Sequence, residues 1–270
     1  MTEVRTHLVI PDTQAKAGVP VDHLYWVGQY IVDKKPDCVI HLGDHADMPS
    51  LSSYDVGKRQ YEGRRYRDDI ESANAAFDVL NSALNRHNRE QKKKQKKQFK
   101  PELHILHGNH EYRIQRAIDA DAAHLDGIIS LDDLNYADHG WKVHPFLQPA
   151  WIDGVGYAHY WIAPMTGRPL GGAASLRLSK IGHSFTMGHQ QTLDYAIRFV
   201  GDKSQHGLVA GSCYLHHEDY LGPQGNHHWR GIIVKHEVQD GSYCPMFVSM
   251  DYLCRRYEGM PLSKFIAHRY

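Results

Sequence analysis

The sequence predicts an α/β fold around a parallel β-sheet, and two observations carry that prediction. Three short apolar runs, Thr6–Pro11, Cys38–Leu42 and Leu103–Leu106, have the length and composition of buried strands. Between them, Asp22–Lys35 and about Arg67–Gln91 carry apolar residues at helical spacing. Strands that alternate with helices in this way are typical of parallel sheets, because parallel neighbours need a long crossover connection.

The second half of the chain predicts a second β-sheet. Its apolar runs are short and separated by turn signals, such as Asp153-Gly154, which is typical of a hairpin. We expect this more antiparallel sheet to pack on the first. The candidate strands are Trp141–Phe146, Trp151–Trp161, Ser184–Met187, Leu208–Leu215, Arg230–Val238 and Cys244–Leu253.

The remaining segments complete a single predicted domain over residues 1–270. Residues 45–66 have no clear period and predict a loop with partial helix. Glu111–Ala120 and residues 173–181 predict short helices. A basic helical insertion is expected at about residues 64–100.

Composition excludes several classes of protein. The 31 Lys and Arg residues balance 31 Asp and Glu residues, which argues against holding polyanions by bulk charge alone. A hydrophobic content of 41%, with 16 Tyr and 5 Trp, excludes a disordered chain. The 21 histidines are unusual, and they are compatible with metal chemistry, with a pH response or with neither.

The cysteines and the N-terminal segment predict a cytoplasmic protein without a membrane span. The four cysteines are dispersed and form no CxxC pair, which disfavours a cysteine zinc site and suits a reducing compartment. The first residues lack the long apolar stretch of a signal peptide. Nowhere does the sequence contain a run of about 18 apolar residues.

Polar residues that can bind a metal follow the predicted strands. Three clusters, Asp12-Thr13-Gln14, Gly43–Asp47 and Gly108–Glu111, come directly after the first three strands. His159 lies in a later strand candidate, and Gly188–Gln191 follows another. The carboxyl ends of parallel strands meet at one edge of a sheet, so we expect these clusters to converge. Asp, Asn, Gln and neutral His are suitable ligands for divalent cations.

In type and order these clusters resemble the motifs of the calcineurin-like metallophosphoesterase superfamily. That family carries DxH, GDxxD or a relative, GNH[DE], a lone His on a strand and then GHxH. The matching elements here span residues 12 to 191, about two thirds of the chain. The resemblance implies a four-layer αββα sandwich, in which two mixed β-sheets are flanked by helices.

The resemblance also implies a centre with two divalent metal ions. Asp44 would bridge the two ions, and the other ligands would be Asn109, His159 and His189 for one ion and Asp12, Gln14 and Gln191 for the other. Gln14 and Gln191 stand where the family usually has His. An amide oxygen is a harder and weaker ligand than imidazole, so we expect the second position to be weakly occupied. Mn²⁺ is favoured, with Mg²⁺, Zn²⁺, Fe²⁺ and Ni²⁺ as alternatives.

The implied activity is hydrolysis of phosphoesters. The two cations would activate a water and hold the phosphate oxygens for in-line attack at phosphorus. By the same resemblance, His110 stabilises the transition state or protonates the leaving oxygen. Asp47, His45 and Arg113 are weaker candidates at this site: Asp47 either orients ligands or caps a turn, and Arg113 either reaches a phosphate or lies on a solvated helix face.

Phosphodiesters are the favoured substrates. Asp47 is followed by Met48-Pro49 and not by the DRG continuation of the serine/threonine protein phosphatases, which argues against phosphoproteins. The favoured branch is that of the repair nucleases, including small stand-alone members of the kind that phages carry. A phosphomonoesterase or nucleotide phosphatase is the alternative. Because of Gln14 and Gln191, a catalytically inactive metal- or nucleic-acid-binding module also remains open.

Two further features have less specific interpretations. The run Lys92–Lys97, together with Arg64, Arg65 and Arg67, either forms a basic rim that binds DNA or RNA or is a solvated helix end. The pairs His216-His217 and His227-His228 have no counterpart in the family pattern and are expected to be exposed in a loop. The sequence leaves the oligomeric state open.

Overall fold

Two mixed β-sheets lie at the centre of the fold. A computed structural model describes residues 4–53, 62–218 and 225–270. The first sheet has the strand order β11-β10-β1-β2-β3-β4, and the second has the order β5-β6-β7-β9-β8. The strands are β1 (Arg5–Ile10), β2 (Cys38–His41), β3 (Glu102–Leu106), β4 (Lys142–His144), β5 (Ala150–Ile152), β6 (Val155–Ala158), β7 (Phe185–Met187), β8 (Leu193–Val200), β9 (Lys203–Ala210), β10 (Gly231–Gln239) and β11 (Ser242–Ser249).

Each sheet has a parallel core and antiparallel strands outside it. Strands β1 to β4 run parallel, and β10 and β11 are added antiparallel beyond β1. In the second sheet β6, β7 and β9 are parallel, while β5 and β8 form antiparallel edges. The carboxyl ends of the parallel strands are therefore the places from which loops can meet.

Helices cover the outer faces of both sheets. They are α1 (Asp22–Lys34), α2 (Tyr66–Lys93), α3 (Tyr112–Ala120), α4 (Ala122–Leu125), α5 (Ala174–Ile181), α6 (Met250–Glu258) and α7 (Leu262–Arg269). Apolar residues of α1, α2, α6 and α7 pack on the first sheet, and α5 packs on the second. The predicted αββα sandwich of two mixed sheets is confirmed.

The alternation of apolar residues along the strands separates the layers. In β1, Leu8 and Ile10 pack against the helices, whereas Val9 faces the second sheet. In β10, Ile232 packs against the helices and Ile233 faces the second sheet. Successive side chains of a strand point to opposite faces, so a strand that is buried on both sides reads as one continuous apolar run.

The second half of the chain differs from the prediction in where its strands pair. The strand at Lys142–His144 and the two strands over residues 231–249 join the first sheet, beside β3 and β1 respectively, and not the second sheet. Strand β8 was not predicted, and the strand expected at Leu208–Leu215 starts earlier, at Lys203, and ends at Ala210. Periodicity reports which residues are buried but not which strand lies alongside, because pairing depends on contacts distant in sequence.

The segment predicted as a strand over Cys244–Leu253 changes to a helix at Met250. Ser249 ends β11, and its hydroxyl accepts a hydrogen bond from the backbone N–H of Tyr252 at 3.2 Å. This is an N-cap, which satisfies a free donor of the first helical turn. Sequence reasoning missed it because Met250 and Leu253 continue the apolar run of the strand.

The segment expected as a basic insertion is part of the core. Helix α2 packs along α1, and its Phe77 and Leu80 are buried between α1 and the first sheet. Gly28 of α1 lies so close to α2 that an added Cβ would overlap the carbonyl oxygen of Leu80. Of the loop expected over residues 45–66, Pro49–Leu51 form a 3₁₀ turn, and residues 54–61 lie outside the described residues.

Two expectations about compartment can be compared with the structure. All four cysteines are unpaired, with Cys38, Cys213 and Cys254 buried and Cys244 exposed. Within the described ranges, no helix combines the length and the apolar character that crossing a membrane requires.

The close approach of α1 and α2 predicts that Gly28→Ala destabilises the protein. The methyl group would overlap a backbone oxygen that cannot rotate away, so strain should exceed the roughly 1 kcal/mol gained in helix propensity. We expect a net loss of at least about 1 kcal/mol in the free energy of urea unfolding.

The matched control for this variant is Gly171→Ala, because an added Cβ at Gly171 meets nothing within 4 Å. It should change the unfolding free energy by no more than about 0.5 kcal/mol. Equal stability of the two variants would contradict the proposed helix contact.

Candidate metal centre

The carboxyl ends of strands from both sheets meet at one place. Side-chain ligand atoms of Asp44, His159 and His189, which follow β2, β6 and β7, all lie within 4.8 Å of one another. Asn109, which follows β3, places its Oδ1 2.9 Å from Nε2 of His159. Four of the residues expected to bind a metal are therefore together, in an oxygen and nitrogen donor set that suits a divalent cation.

His159 is oriented so that one ring nitrogen faces this cluster. Its Nδ1 donates to the carbonyl oxygen of Leu42 at 3.0 Å, which leaves Nε2 facing Asp44 Oδ2 at 3.2 Å and Asn109 Oδ1. A backbone carbonyl behind the ring is the usual support for a metal-binding histidine. Burial alone lowers the pKa of His159, but Asp44 outweighs this and raises the pKa to about 9. A divalent cation would take the place of the proton on Nε2.

The position of Asp44 depends on a glycine in the neighbouring loop. Asp44 has a left-handed backbone with φ of 49°, and its Oδ1 accepts a hydrogen bond from the backbone N–H of His110 at 2.9 Å. A Cβ on Gly108 would overlap both this carboxylate and the backbone nitrogen of Asp44. Because Gly108, the glycine of the GNHE motif, has no side chain, it leaves the space that the Asp44 carboxylate occupies.

Sequence reasoning assigned no role to Glu111, yet its carboxylate organises the centre. It is fully buried, and burial together with the charge of Asp44 raises its pKa above the ordinary value, although donors such as the Ala46 N–H act in the opposite direction. Five donors at a carboxylate favour its ionised form. The donors are the backbone N–H groups of Asp44 (3.0 Å), His45 (2.6 Å), Ala46 (3.0 Å) and Gly108 (2.8 Å) and the hydroxyl of Tyr136 (3.2 Å). The only sequence signal was its place at the end of GNHE.

The second expected metal position is only partly arranged for a cation. Gln14 is buried, and its Oε1 has no hydrogen-bond partner, so a cation would satisfy this oxygen. Both carboxylate oxygens of Asp12 accept the backbone N–H of His189 at 3.0 Å, and burial raises the pKa of Asp12 to about 7. The Oε1 of Gln191 is already engaged by the hydroxyl of Tyr214 at 2.8 Å. Gln14 thus fits a cation better than Gln191 does.

His110 is held by a carboxylate and lies beside the centre. Its Nδ1 donates to Asp47 Oδ1 at 2.7 Å, and its Nε2 lies 3.7 Å from Asp44 Oδ2. Burial of His110 by itself lowers its pKa, but Asp44 and Asp47 together raise the pKa above its ordinary value. Asp47 is itself paired with Lys16 at 2.8 Å. Asp47 therefore orients His110, which is a more specific role than the capping alternative.

His45 does not face the centre. Its Nδ1 and Nε2 are hydrogen-bonded to Thr13 Oγ1 at 2.8 Å and to the Ala73 carbonyl at 3.0 Å, and its ring packs against Phe77. Burial lowers the pKa of His45 to about 4, so the ring is neutral. The side chain belongs to the helical layer, and the expectation that His45 contacts substrate is corrected.

Arg113 lies at the centre but is engaged by the neighbouring loop. Its Nη1 donates to the carbonyl oxygens of Asp47 at 2.9 Å and Met48 at 3.2 Å. Its Nη2 lies 3.2 Å from Nε2 of His110, which can accept this hydrogen bond only when the nitrogen carries no proton. Arg113 is thus not on a solvated helix face, and its nearest functional neighbour is His110.

Two of the four paired histidines lie next to the centre, contrary to the expectation that all are exposed. His216 Nε2 donates to Glu218 Oε1 at 2.6 Å, and Glu218 pairs with Lys16 at 2.9 Å. His228 is 3.1 Å from the Tyr214 hydroxyl that holds Gln191. Only His217 and His227 are exposed. No motif marks these contacts, and residues 219–224 of the same loop lie outside the described residues.

The basic residues do not form one rim. Arg64, Arg65 and Arg67 lie at the start of α2, whereas Lys92–Lys97 lie at its end, and a helix of 28 residues is about 42 Å long. Lys97 lines a cavity of about 700 Å³ together with Glu102, which begins β3. The lysine run is therefore at the amino ends of the strands, the opposite edge of the sheet from the candidate centre.

Comparison with known proteins does not identify a family. The chain matches no family model and no curated protein. The likeness to calcineurin-like metallophosphoesterases therefore consists of the short motifs and their order, and function is argued from the arrangement of side chains.

The role of Glu111 predicts that Glu111→Gln destabilises both the protein and its metal site. One amide nitrogen would replace a carboxylate oxygen and face backbone N–H donors, so at least one buried donor loses its acceptor. We expect the free energy of unfolding to fall by about 2–3 kcal/mol, together with weaker Mn²⁺ binding measured by calorimetric titration.

The control is Glu71→Gln on the exposed face of α2, which should cost no more than about 0.5 kcal/mol. A loss in Glu111→Gln no larger than in this control would rule out the organising role of Glu111.

The unpartnered oxygen of Gln14 predicts that Gln14→His strengthens the second metal position. Imidazole is the better ligand for Zn²⁺, so the weaker ion should bind at least about tenfold more tightly and with a stronger preference for Zn²⁺ over Mg²⁺. Calorimetric titration with each metal measures this change. Gln115→His, at a half-buried position of α3 whose side chain bonds to Asp119, serves as control, and unchanged binding in Gln14→His would exclude Gln14 as a ligand.

Proposed function

We propose that this chain is a metal-dependent phosphoesterase of the calcineurin-like kind, with phosphodiesters as preferred substrates. One observation carries the proposal. The ligand set of Asp44, Asn109, His159 and His189 lies beside a histidine, His110, whose Nε2 is 3.7 Å from Asp44 Oδ2. A cation site next to an oriented proton donor is what in-line displacement at phosphorus requires.

Mn²⁺ is the proposed ion, the same one that the sequence favours. Carboxylate and amide oxygens combined with two imidazoles suit a borderline divalent cation better than a purely soft one. When bound, divalent cations would polarise the phosphoryl oxygens and lower the pKa of an attacking water. Asp44, Asn109, His159 and His189 would hold one ion, and Asp12 and Gln14 would help to hold a second, weaker one.

His110 would supply the proton that the leaving oxygen needs. Asp47 accepts the Nδ1–H and thereby fixes the ring, which leaves Nε2, 3.7 Å from Asp44 Oδ2, to carry the second proton. The Nη2 of Arg113 repels a protonated Nε2 and donates to a neutral one. The guanidinium therefore stabilises the ring in the state that remains after proton transfer.

Nucleic acid is the substrate class that the phosphodiester proposal favours, and the lysine run is its proposed second contact. Lys92–Lys97 are exposed or nearly so at the end of α2. A DNA or RNA that touched both this run and the candidate centre would have to pass from the amino ends of the strands to their carboxyl ends, because the run lies at the opposite edge of the sheet. Such an arrangement suits a long nucleic acid and not a mononucleotide.

The proposal predicts that His110→Ala abolishes turnover but not metal binding. With Mn²⁺ and bis-p-nitrophenyl phosphate, we expect kcat to fall by about 10²- to 10⁴-fold, the usual contribution of a positioned acid. Calorimetric titration should show Mn²⁺ still bound. His124→Ala removes a histidine that is 80% exposed and should leave kcat unchanged.

A substrate panel with Mn²⁺, Mg²⁺, Zn²⁺ and Ni²⁺ separates the alternatives. Turnover of p-nitrophenyl phosphate without turnover of the diester would favour a phosphomonoesterase or nucleotide phosphatase. If the wild-type chain hydrolyses neither ester, nor single- or double-stranded DNA, with any of these metals, the catalytic proposal is wrong and a binding module remains.

A further inference from the structure

We infer that Cys38, Glu102 and His104 form a separate binding site for a thiophilic divalent cation of the Zn²⁺ class. The Cys38 Sγ, a Glu102 carboxylate oxygen and a His104 ring nitrogen all lie within 4.8 Å of one another. Thiolate, carboxylate and imidazole are the three ligand types that zinc uses in proteins. None of these residues belongs to the candidate metal centre, so this inference does not depend on the proposed function.

The register of two strands brings the three side chains together. Cys38 of β2 is paired with Glu102 of β3, and His104 lies two residues further along β3. Residues two apart in a strand point to the same face, so all three project toward the inner face of the first sheet. The site lies at the amino ends of these strands, at the opposite edge of the sheet from Asp44.

His104 is already oriented as a metal-binding histidine would be. Its Nδ1 shares a hydrogen bond of 2.9 Å with Nε2 of His144, and the two rings are stacked with their centroids 5.2 Å apart. The Nε2 of His104 is left facing Glu102 Oε2 at 3.5 Å. A ring with one nitrogen supported by a neighbour and the other directed at further ligands is the typical geometry around a bound metal.

The charges around the site leave one carboxylate oxygen for a cation. Arg5 pairs with Glu102 Oε1 at 2.9 Å, and it also pairs with Asp153 at 3.2 Å. Oε2 of Glu102 is directed at His104 instead. Around Cys38, the carboxylates of Glu102, Asp153 and Asp37 outnumber the Arg5 guanidinium, whereas Lys142 acts on His104 and Lys97 and Lys100 line the adjoining cavity.

The thiol of Cys38 would enter the site by losing its proton. Burial, with a smaller contribution from Glu102, raises the pKa of the Cys38 thiol to about 12. Binding of a divalent cation displaces such a proton, which is released to solvent as the sulfur–metal bond forms. Three protein ligands leave a fourth position for water.

Solvent can reach the site from one side. The cavity of about 700 Å³ beside the lysine run is lined by Pro36, Asp37 and Glu102. The Glu102 side chain is 56% exposed, whereas Cys38 is fully buried behind it. A cation would enter past Glu102 and would link β2 to β3 at the ends where these strands begin.

Cobalt titration of the full chain tests this inference, because Co²⁺ bound to a thiolate gives a near-ultraviolet charge-transfer absorption that oxygen and nitrogen ligands do not give. We expect this absorption in the wild-type chain, with its loss in Cys38→Ser and in His104→Gln. Replacing the supporting ring, in His144→Ala, should weaken Co²⁺ binding at this site by about 10- to 100-fold.

Two controls separate this site from the rest of the chain. Cys244→Ser removes an exposed cysteine of β11 and should keep the absorption. Asp44→Asn impairs the candidate metal centre and should also keep the thiolate absorption. This variant therefore distinguishes loss of metal binding at the candidate centre from loss of metal binding at the Cys38 site. Circular dichroism verifies that each variant is folded.

Absence of the thiolate absorption in the wild-type chain would overturn the inference, and so would its persistence in Cys38→Ser. If Cys38→Ser does not fold, Glu102→Gln decides the matter, because this side chain is largely exposed and its replacement should not unfold the protein. If the thiolate absorption shows that Glu102→Gln weakens Co²⁺ binding at least about tenfold, the result supports the site. Unchanged Co²⁺ binding by the same signal overturns the inference.

Discussion

The buried carboxylate of Glu111 holds together the two loops on which the candidate metal centre is built. The turns after β2 and β3 leave backbone N–H groups that no strand ladder can satisfy, and buried donors without acceptors are costly. The Glu111 carboxylate accepts hydrogen bonds from four of these N–H groups and from the Tyr136 hydroxyl. The left-handed backbone of Asp44 and its contact with Gly108 are stable because this carboxylate fixes the loops around them.

The environment of each histidine explains how a chain with 21 of them can be specific about chemistry. Where burial dominates, as at His45 and His107, it lowers the pKa to about 4, and the ring serves as a neutral element of packing. At His110 and His159 the neighbouring carboxylates outweigh burial, and the pKa rises. At His189, which also lies at the candidate centre, burial prevails and lowers the pKa to about 4, so the number of histidines says little and the surroundings of each ring decide its charge.

Much of the fold and of the candidate centre was predictable because it depends on local patterns. Short apolar runs followed by Asp44 or Asn109 placed these residues at strand ends, and parallel pairing then brought them to one edge. The role of Glu111 was not predictable, because it depends on where four backbone N–H groups point. The contact between Lys16 and Glu218, which also binds His216, joins residues 202 positions apart, and no periodicity records such a contact.

By itself, the sequence determined the α/β class, the strand ends that carry Asp12, Asp44, Asn109 and His189, and the presence of glutamine at two positions of the resembled motif. These follow from residue type, spacing and burial period, which are local properties. The tertiary structure decided that β10 and β11 extend the first sheet, that His45 faces the helices and that Gln14, unlike Gln191, keeps a free oxygen. Each of these depends on which distant groups satisfy a buried hydrogen-bonding atom, and only the folded chain brings those groups together.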